Sequence, residues 1–351
     1  MWVFIAYWTS TNDCGRNAVA PSNPMKAVRY CEYGSPEVVK LKDVEKPVPN
    51  DNQVLIQVRA ASLNALDVYL TRDSWLGRLF FGLRKPRDTR LGRDVAGQVE
   101  AVGKNVTQFK PGDEVFGTCR GALAEYACPF ERSLVVKPPN VSFEQAASLP
   151  IAGLTALQGL RDQGKIRSGQ KVLINGATGG VGTFAVQIAK SFGADITAVC
   201  STRNVDLVKS IGADHVIDYT KEDFTKSDQR YDVIFDNVAN HSFAERRRVL
   251  TPKGICVLAG MGGAGVKGGE AIGRIVGNLF IARGLSWFTD QKFAQYITKM
   301  NKQDLTMLAE LIQAGKLTPV IEQTYNLSEA PEALRHLNEG HARGKIVITA
   351  N

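Results

Sequence analysis

The sequence predicts an α/β protein in which a β-rich region precedes a doubly wound parallel sheet. Short apolar runs with turn residues between them recur from Met25 to about Pro150, which is typical of a β domain. From about Ser148, strand-like and helix-like segments alternate, which indicates βαβ units on a parallel sheet. The later runs VLI, VIF and VLA are apolar throughout, as strands buried on both faces require.

Composition and charge narrow the class of protein. The 351 residues suggest about two domains at roughly 150 residues each. The net charge is +8, but basic and acidic residues are mixed, which favours a solvated basic surface, with anionic small ligands the next candidate. Aromatic and basic residues do not interleave on a predicted β face, so we expect no nucleic acid as a partner. We predict no transmembrane helix, because no uncharged apolar run reaches about 18 residues.

Residues 1–24 are predicted to be an extension outside the fold. The opening MWVFIAYWTS is apolar and aromatic but lacks the basic region of a signal peptide, whereas Met25 opens the strand-like MKAVRYCEYG. The six cysteines form no CxxC pair, which predicts free thiols in a reducing compartment, and we expect a cytoplasmic location.

The β-rich region contains a series of strand-like runs: KAVRY, VVKLKDVE, QVLIQVRAASLN, VAGQVEAVG, DEVFG, ALAEYA and SLVVKPP. After about Thr318 the chain returns to isolated elements, namely VIEQTYNL, a helix over EAPEALRHLNEG and the strand KIVIT. We expect these elements to complete the first domain. The predicted domains are therefore 25–148 with 319–351, and 149–318.

The alternating region predicts each element from its hydrophobic period. Strands are predicted at KVLINGA, ITAVCS, HVIDY, YDVIFDNV and GICVLAG, and helices at VGTFAVQIAKSF, NVDLVKSI and FAERRRVL. Gly193 and Gly212 are expected to end the first two helices.

A glycine-rich turn joins the first of these strands to the first helix. It reads A-T-G-G-V-G, which places Ala177 where the G-x-G-x-x-G signature has its first glycine. Gly179 would let the backbone approach a pyrophosphate, and Gly182 would let the helix pack closely on the strand. The helix N-terminus offers N–H groups to phosphates. We predict dinucleotide contacts from Ala177, Thr178, Gly179, Gly180, Val181 and Gly182; the alternative is a tight turn without a ligand.

The end of the second strand indicates which dinucleotide is bound. An NAD site usually has an acidic residue there, to bond the ribose 2′-OH. Here the tip offers Ser201, Thr202 and Arg203, which suit a 2′-phosphate, so we predict NADP(H). The alternative is that Arg203 points to water. Ends of later strands also border the ligand crevice of such a sheet, and they add Val238, Gly260 and Met261.

The order of a β domain, NGATGGVG, GADHVIDY and a returning RGKIVI segment resembles the medium-chain dehydrogenase/reductase superfamily. More closely, it is similar to the zinc-independent quinone oxidoreductase-like branch. The resemblance covers about Met25 to Thr349. It implies a GroES-like β domain plus a Rossmann doubly wound parallel sheet, with an active-site cleft between them.

The positions that match zinc ligands in zinc alcohol dehydrogenases carry other residues here. Asn64 occupies roughly the place of a cysteine, and Arg93 that of a histidine. A catalytic zinc needs three Cys, His or carboxylate ligands, so Asp67 and Asp94 alone are poor candidates. The region of the structural-zinc lobe offers only two cysteines, Cys119 and Cys128. We therefore predict no metal.

The resemblance implies roles for further residues. Asn64 and Tyr69 would face the nicotinamide and the substrate, where either could donate to a developing enolate; alternatively, Asn64 caps a turn and Tyr69 is a helix core residue. Thr155 would hold the carboxamide, or its hydroxyl would bond its own helix carbonyl. Tyr219 would lie near the adenosine phosphate, or pack at a strand end. Lys345 could reach a phosphate, although a solvated lysine is the simpler interpretation.

The stretch 73–90, DSWLGRLFFGLRKPRDTR, is longer and more apolar than the branch usually shows. We hypothesise a lid over a bulky hydrophobic acceptor; contact with a membrane surface and a packed surface helix are alternatives. The apolar region 271–287 could form another pocket wall or a subunit interface.

Together these features predict an NADPH-dependent, metal-free reductase. Its partner would be a small hydrophobic quinone or α,β-unsaturated carbonyl, because such acceptors need no strong Lewis acid. The alternatives are a zinc-type alcohol dehydrogenase and a low-turnover NADPH-binding sensor or adaptor. We also expect a homodimer.

Overall fold

The structure, a computed structural model, describes residues 21–259, 290–340 and 342–350. The strands are β1 (Pro24–Tyr30), β2 (Val39–Glu45), β3 (Val54–Ser62), β4 (Asp94–Val102), β5 (Glu114–Thr118), β6 (Tyr126–Ala127), β7 (Leu134–Val136), β8 (Lys171–Asn175), β9 (Asp195–Cys200), β10 (His215–Asp218), β11 (Tyr231–Asp236), β12 (Leu250–Leu258), β13 (Lys292–Gln295), β14 (Ile321–Asn326) and β15 (Lys345–Thr349).

The α-helices of the described ranges are α1 (Ala65–Thr71), α2 (Trp75–Phe81), α3 (Phe143–Ser148), α4 (Pro150–Gln158), α5 (Gly180–Ser191), α6 (Val205–Ser210), α7 (Phe243–Arg248), α8 (Lys302–Gln313) and α9 (Ala330–Glu339). Short 3-10 turns cover Pro36–Val38, Glu131–Ser133, Thr202–Asn204, Phe224–Lys226 and Leu327–Glu329, and a π-helical turn, Gly159–Gln163, extends α4.

The β-rich region forms a seven-stranded sheet with the order β14-β15-β3-β4-β5-β7, and β6 pairs with β3. β1 and β2 form a separate antiparallel pair. The strands after residue 320 return to this sheet, since β15 pairs antiparallel with β3 through Val347 and Ser62. The sheet is therefore completed by segments that lie far apart in the sequence.

The alternating region forms a six-stranded sheet with the order β10-β9-β8-β11-β12-β13, and all its described strand pairs are parallel. The direction in which successive strands are added reverses at β8: β9 and β10 lie on one side of it, and β11, β12 and β13 lie on the other. Crossover helices on both sides are what a doubly wound sheet requires, so the predicted fold class is confirmed.

The apolar strands of this sheet are buried on both faces. Along β8, Val172 and Ile174 pack in one core cluster and Leu173 packs in another. The first cluster also contains Ala60 and Phe116 from the seven-stranded sheet. Because this close-packed core contains residues of both sheets, it fixes the position of one sheet relative to the other.

Helix α5 has the boundaries that the sequence pattern predicts. Its N-cap is Gly179, and Phe192 follows its last residue. Gly193 adopts φ 76°, a left-handed conformation that ends the helix. The helix therefore begins directly at the glycine-rich turn.

The cysteines differ in state among the described residues. Cys119, Cys128, Cys200 and Cys256 are free thiols, as predicted. Cys31 is disulfide-bonded, so the expectation of a free thiol is wrong at this position. Its partner is not among the described cysteines.

Candidate active site

A cleft of about 1490 Å³ is lined by residues of both sheets and of the helices that cover them. One wall comes from the start of α1 and the returning strand β15, and the other from α4, the glycine-rich turn and the end of β12. The predicted site residues that line it are Asn64, Tyr69, Thr155, Gly179, Gly180 and Val181. The cleft therefore brings both predicted catalytic residues to the same space as the glycine-rich turn.

The glycines of the turn differ in what surrounds them. A Cβ atom on Gly182 would lie 2.0 Å from the carbonyl oxygen of Gly176, so helix α5 packs directly on the turn. A Cβ atom on Gly179 would meet nothing closer than 3.9 Å, and the residue borders the cleft. Of these two glycines, Gly182 alone needs to be glycine for packing in the protein itself. The open backbone at Gly179 leaves room for a ligand's close approach.

The turn fits the pyrophosphate of a dinucleotide. Helix α5 is 12 residues long, and its first turn leaves N–H groups without intrahelical partners at the cleft. Ala177 is buried behind the turn, whereas Thr178 is partly exposed and its carbonyl oxygen accepts from the N–H of Gly344 at 2.8 Å. The turn is therefore fixed by its neighbours before a ligand arrives.

Residues predicted to bind the adenosine end lie together at the ends of β9 and β10. Ser201 directly follows β9, and Thr202 and Arg203 are exposed in the next turn. Tyr219 directly follows β10, donates its N–H to the carbonyl oxygen of Cys200 at 3.0 Å and is 60% exposed. The structure thus places these four residues on one edge of the parallel sheet.

Sequence inspection found no acid at the tip of β9, but the neighbouring strand supplies one. Asp218, the last residue of β10, accepts a 2.5 Å hydrogen bond from the Thr202 hydroxyl and further bonds from Thr220. These hydrogen bonds, the one from Thr202 above all, lower the pKa of Asp218 to about 2. Asp218 lies beside the end of β9 because of the register in which β10 pairs with β9, and the sequence of either strand alone does not reveal that register.

Val238 lies beside the glycine-rich turn. Its N–H donates to Asp236 Oδ1 at 3.1 Å, and a Cβ on Gly176 would lie 2.7 Å from its Cγ2. Gly260 and Met261, the other predicted strand-end contacts, lie outside the described residues, as does the region 271–287.

Asn64 is the N-cap of α1, and its carboxamide lies in a buried polar network. Its Nδ2 donates to Asp94 Oδ2 at 2.9 Å, and its Oδ1 accepts from Lys345 Nζ at 2.9 Å. Its backbone N–H is capped by Asp67 Oδ2 at 2.9 Å. Asn64 therefore both begins a helix, as the alternative interpretation held, and lines the cleft.

Lys345 differs from its simplest sequence interpretation. It is only 3% exposed rather than solvated, because β15 carries it into the interior beside Asp94. Its Nζ donates to the carbonyl oxygen of Leu63 at 2.7 Å as well as to Asn64. Burial lowers the pKa of Lys345, and the nearby Asp94 carboxylate opposes that effect.

Tyr69 lies in the second turn of α1 and lines the cleft. The Arg72 guanidinium carbon lies 5.6 Å from the centre of its ring. Burial raises the pKa of Tyr69, so its phenol keeps its proton and can donate a hydrogen bond across the physiological range. Tyr69 is therefore a donor bordering the cleft.

Thr155 lies on α4 at the cleft. Its hydroxyl bonds the carbonyl oxygen of Ile151 at 2.7 Å and the Thr298 hydroxyl at 2.8 Å. The bond to its own helix is the alternative considered from the sequence. The Thr155 carbonyl oxygen also accepts from the Tyr296 hydroxyl.

Asp67, one of the two carboxylates considered as zinc ligands, has a structural role instead. Asp67 is buried, and its two oxygens accept from the N–H groups of Asn64 and Gly92 at 2.9 Å each. Burial raises the pKa of Asp67, while these two hydrogen bonds oppose that rise. Across the described residues, no three His, Cys, Asp or Glu side chains are grouped as a metal site would require.

The segment 73–90 contains helix α2, and its described side chains lie away from the cleft. Trp75 and Leu79 are exposed on α2, while Phe81 packs against the core of the seven-stranded sheet. None of the described side chains of this segment lines the cleft. In this structure it therefore forms a surface helix, not the hypothesised lid.

One cleft residue, Gln295, had no sequence signal. Gln295 ends β13 and lines the cleft, and its Oε1 is buried without a hydrogen-bond partner among the described residues. Asp94 joins the network above and also accepts from the Ile151 N–H at 3.0 Å.

Among the residues described, no helix is long and apolar enough to cross a bilayer.

Comparison with protein families gives two matches. The family described as "Alcohol dehydrogenase GroES-like domain" matches residues 50–139, and the family described as "Zinc-binding dehydrogenase" matches residues 211–348. The second description names a metal for which the described residues offer no grouped ligands.

Individual proteins resemble the chain over most of its length. It is 35% identical over 346 residues to the 2-methylene-furan-3-one reductase of Solanum lycopersicum, covering 94% of this chain and 80% of that protein. It is 33% identical over 339 residues to the chloroplastic NADPH-dependent alkenal/one oxidoreductase of Arabidopsis thaliana, covering 92% and 79%. The quinone oxidoreductase structure from Coxiella burnetii superposes with a TM-score of 0.79 at 31% identity, covering 94% and 100%.

Proposed function

The chain belongs to the medium-chain dehydrogenase/reductase superfamily, in its quinone oxidoreductase-like branch, and on this basis we propose an NADPH-dependent, metal-free reductase. It transfers hydride to a quinone or to an α,β-unsaturated carbonyl. The observation that carries this proposal is the cleft itself. It joins a dinucleotide-binding turn to two hydrogen-bond donors, Asn64 and Tyr69. Asn64 stands roughly where zinc enzymes of the superfamily have a cysteine ligand.

The cofactor is held by the chain in three places. The N–H groups at the start of α5 and the open backbone at Gly179 receive the pyrophosphate. Arg203 after β9 would receive the 2′-phosphate, and Ser201, Thr202 and Tyr219 lie beside it, with the Thr202 hydroxyl donating to Asp218. Thr155 lines the cleft towards the acceptor, and Val238 lies beside Gly176 of the turn. The cofactor supplies the hydride.

The chain's own residues act on the acceptor oxygen. Negative charge develops there when hydride reaches the conjugated carbon, and donors aimed at that oxygen stabilise it. The Tyr69 hydroxyl is one donor, and the second hydrogen on Asn64 Nδ2, which Asp94 does not take, is the other. Apolar cleft residues such as Leu66, Ile151 and Leu258 exclude water, which strengthens both hydrogen bonds.

The alternative functions are not favoured. A zinc-type alcohol dehydrogenase would need ligands that Asn64 and Arg93 do not supply. A low-turnover sensor is not favoured, because the relatives above are named for reductase activities.

The test is NADPH oxidation measured against a panel of quinones and conjugated enals and enones. We expect turnover with at least one class and none with saturated alcohols plus NADP⁺. NADPH binding without turnover on any acceptor would contradict a reductase. Stoichiometric zinc in protein purified without chelator would contradict metal-free chemistry.

Three further proposals concern the domain limits, the assembly and the cellular location. Membership of β14 and β15 in the seven-stranded sheet supports the domains 25–148 with 319–351 and 149–318. The homodimer rests on the prediction alone, and light scattering tests it. A cytoplasmic location is predicted from free thiols; four described cysteines are free, but Cys31 is disulfide-bonded and the Arabidopsis relative is named as chloroplastic, so cell fractionation must decide.

A further inference from the structure

The ammonium group of Lys345 lies buried beneath the cleft, with its bonds directed inward. Its three acceptors are the Leu63 carbonyl oxygen at 2.7 Å, Asn64 Oδ1 at 2.9 Å and Asp94 Oδ2 at 3.4 Å. An ammonium group has three hydrogens, so these contacts use all of them. Lys345 therefore has no hydrogen left to donate to a ligand in this arrangement.

The two charges hold the Asn64 carboxamide in one orientation. Lysine only donates and carboxylate only accepts, so Oδ1 faces Lys345 and Nδ2 faces Asp94. A flipped amide would place Nδ2 against the ammonium group and Oδ1 against the carboxylate, and both contacts would be repulsive. Without the charged pair, the nearly symmetric amide would lose this preference.

The same lysine also contacts the dinucleotide-binding turn. A Cβ on Gly180 would lie 2.8 Å from Lys345 Cδ, so the aliphatic part of the side chain packs against the start of α5. The preceding residue, Gly344, donates its N–H to the Thr178 carbonyl oxygen at 2.8 Å. Lys345 thus contacts the dinucleotide-binding turn with its aliphatic stem, and it contacts Asn64, the proposed donor to the acceptor oxygen, with its ammonium group.

We propose that Lys345, together with Asp94, is a positioning residue that keeps an N–H of Asn64 directed at the acceptor oxygen. This inference rests on the proposed reductase function, because it concerns the donor side of that reaction. The stem and the tip have separable tasks. The aliphatic stem of Lys345 supports the turn that binds NADPH, and its ammonium group fixes the orientation of the Asn64 carboxamide.

The test is a double-mutant cycle on kcat with Asn64→Ala, Lys345→Met and the double variant. Methionine keeps an unbranched stem against Gly180 and removes the charge, so the Kd for NADPH should stay within about threefold of the wild type. Asn64→Ala should lower kcat on the order of 100-fold, as loss of one such donor does elsewhere. Lys345→Met should lower kcat by at least about tenfold, and the double variant should be no slower than Asn64→Ala.

Lys345→Met leaves the Asp94 carboxylate buried without its cation, a change that can by itself prevent folding, so a second variant removes both charges. This neutral pair is Lys345→Met with Asp94→Asn. The amide introduced by Asp94→Asn can donate to Asn64 Oδ1, so the neutral pair should fold and still show the reduced kcat. Lys137→Met is the matched control. Lys137 is also buried and bonds the Val141 carbonyl oxygen at 2.6 Å, but it does not line the cleft.

Each outcome decides between the claims. Multiplicative losses in the double variant, or wild-type kcat in the neutral pair, would overturn the role of Lys345 while the reductase function stands. A kcat loss in Lys137→Met equal to that in Lys345→Met would also overturn it, because any buried lysine would then suffice. A wild-type protein that turns over no acceptor would refute the reductase function, and with it this inference.

Discussion

Gly182 lies so close to Gly176 that a methyl group on it would be 2.0 Å from the Gly176 carbonyl oxygen. That contact joins the start of α5 to the end of β8. At Gly179, three residues earlier, the nearest atom to such a methyl group is 3.9 Å away. Two glycines of one turn are thus retained for different physical reasons, which makes them separable by mutation.

Gly179→Ala should therefore weaken NADPH binding without loss of stability, whereas Gly182→Ala should lower the stability of the fold. Gly179 has φ −75° and ψ 173°, which alanine adopts, so Gly179→Ala should keep its thermal stability but raise the Kd for NADPH by at least about tenfold. Gly182→Ala must displace backbone and should lose about 1–3 kcal/mol of stability. Thermal melts and fluorescence titration with NADPH measure both. Unchanged NADPH affinity in Gly179→Ala would contradict pyrophosphate binding at this turn.

Arg203→Glu should reverse the cofactor preference. Loss of charge-assisted hydrogen bonds to a 2′-phosphate costs about 1.5–3 kcal/mol, which corresponds to a rise of roughly 10- to 100-fold in the Kd for NADPH. NADH lacks that phosphate, so its Kd should change little. Arg167→Glu is the control, since Arg167 is equally exposed but precedes the opposite, amino end of β8. Equal losses for both coenzymes would refute the assignment.

Tyr69→Phe should lower kcat without weakening NADPH. The change removes only the hydroxyl, and loss of one donor to the developing charge lowers kcat on the order of 100-fold. Because burial raises the pKa of Tyr69, the wild-type phenol should remain protonated and kcat should not fall through its ionisation up to about pH 10. Tyr33→Phe is the matched control, because the Tyr33 hydroxyl donates to the Gly82 carbonyl oxygen outside the cleft. Equal kcat in Tyr69→Phe and wild type would exclude Tyr69 as a donor.

Asp218→Asn should be less stable than the wild type at neutral pH but not at low pH. The folded-state pKa of Asp218 is lowered to about 2 by hydrogen bonds from Thr202 and Thr220, so the ionised carboxylate stabilises the fold above its unfolded pKa. That contribution is lost as pH falls from about 4 towards 2. Urea unfolding of both proteins from about pH 2 to about pH 7 measures the difference, with Asp228→Asn as an exposed control. A difference that is constant over this range would contradict the assignment.

Much of the fold follows from local pattern. The runs at β8, β9 and β11 and the helix α5 have the positions that apolar period and bounding glycines predict, because both signals arise from a few neighbouring residues. The glycine-rich turn was recognisable for the same reason. Its conformation depends on local backbone geometry, as the positive φ of Gly176 shows.

Long-range contacts explain what the sequence left open. Lys345 appeared solvated because its motif, R-G-K, is polar and local pattern does not reveal that β15 pairs with β3 beside Asp94. Asp218 was missed because its proximity to Thr202 depends on the register of β10 and β9. The hypothesised lid at 73–90 was wrong for this structure, since amphipathic composition specifies an exposed face but not its neighbour.

The return of β14 and β15 to the first sheet also bears on how the chain folds during synthesis. On the ribosome, β3 emerges nearly 300 residues before its neighbour β15, so the end of β3 from Ala60 to Ser62 must wait for that partner. The parallel sheet, whose described strands lie between residues 171 and 295, can be assembled earlier. A nascent chain stalled before residue 321 should therefore expose an unpaired strand edge, a recognised cause of aggregation, and would be a natural substrate for chaperones.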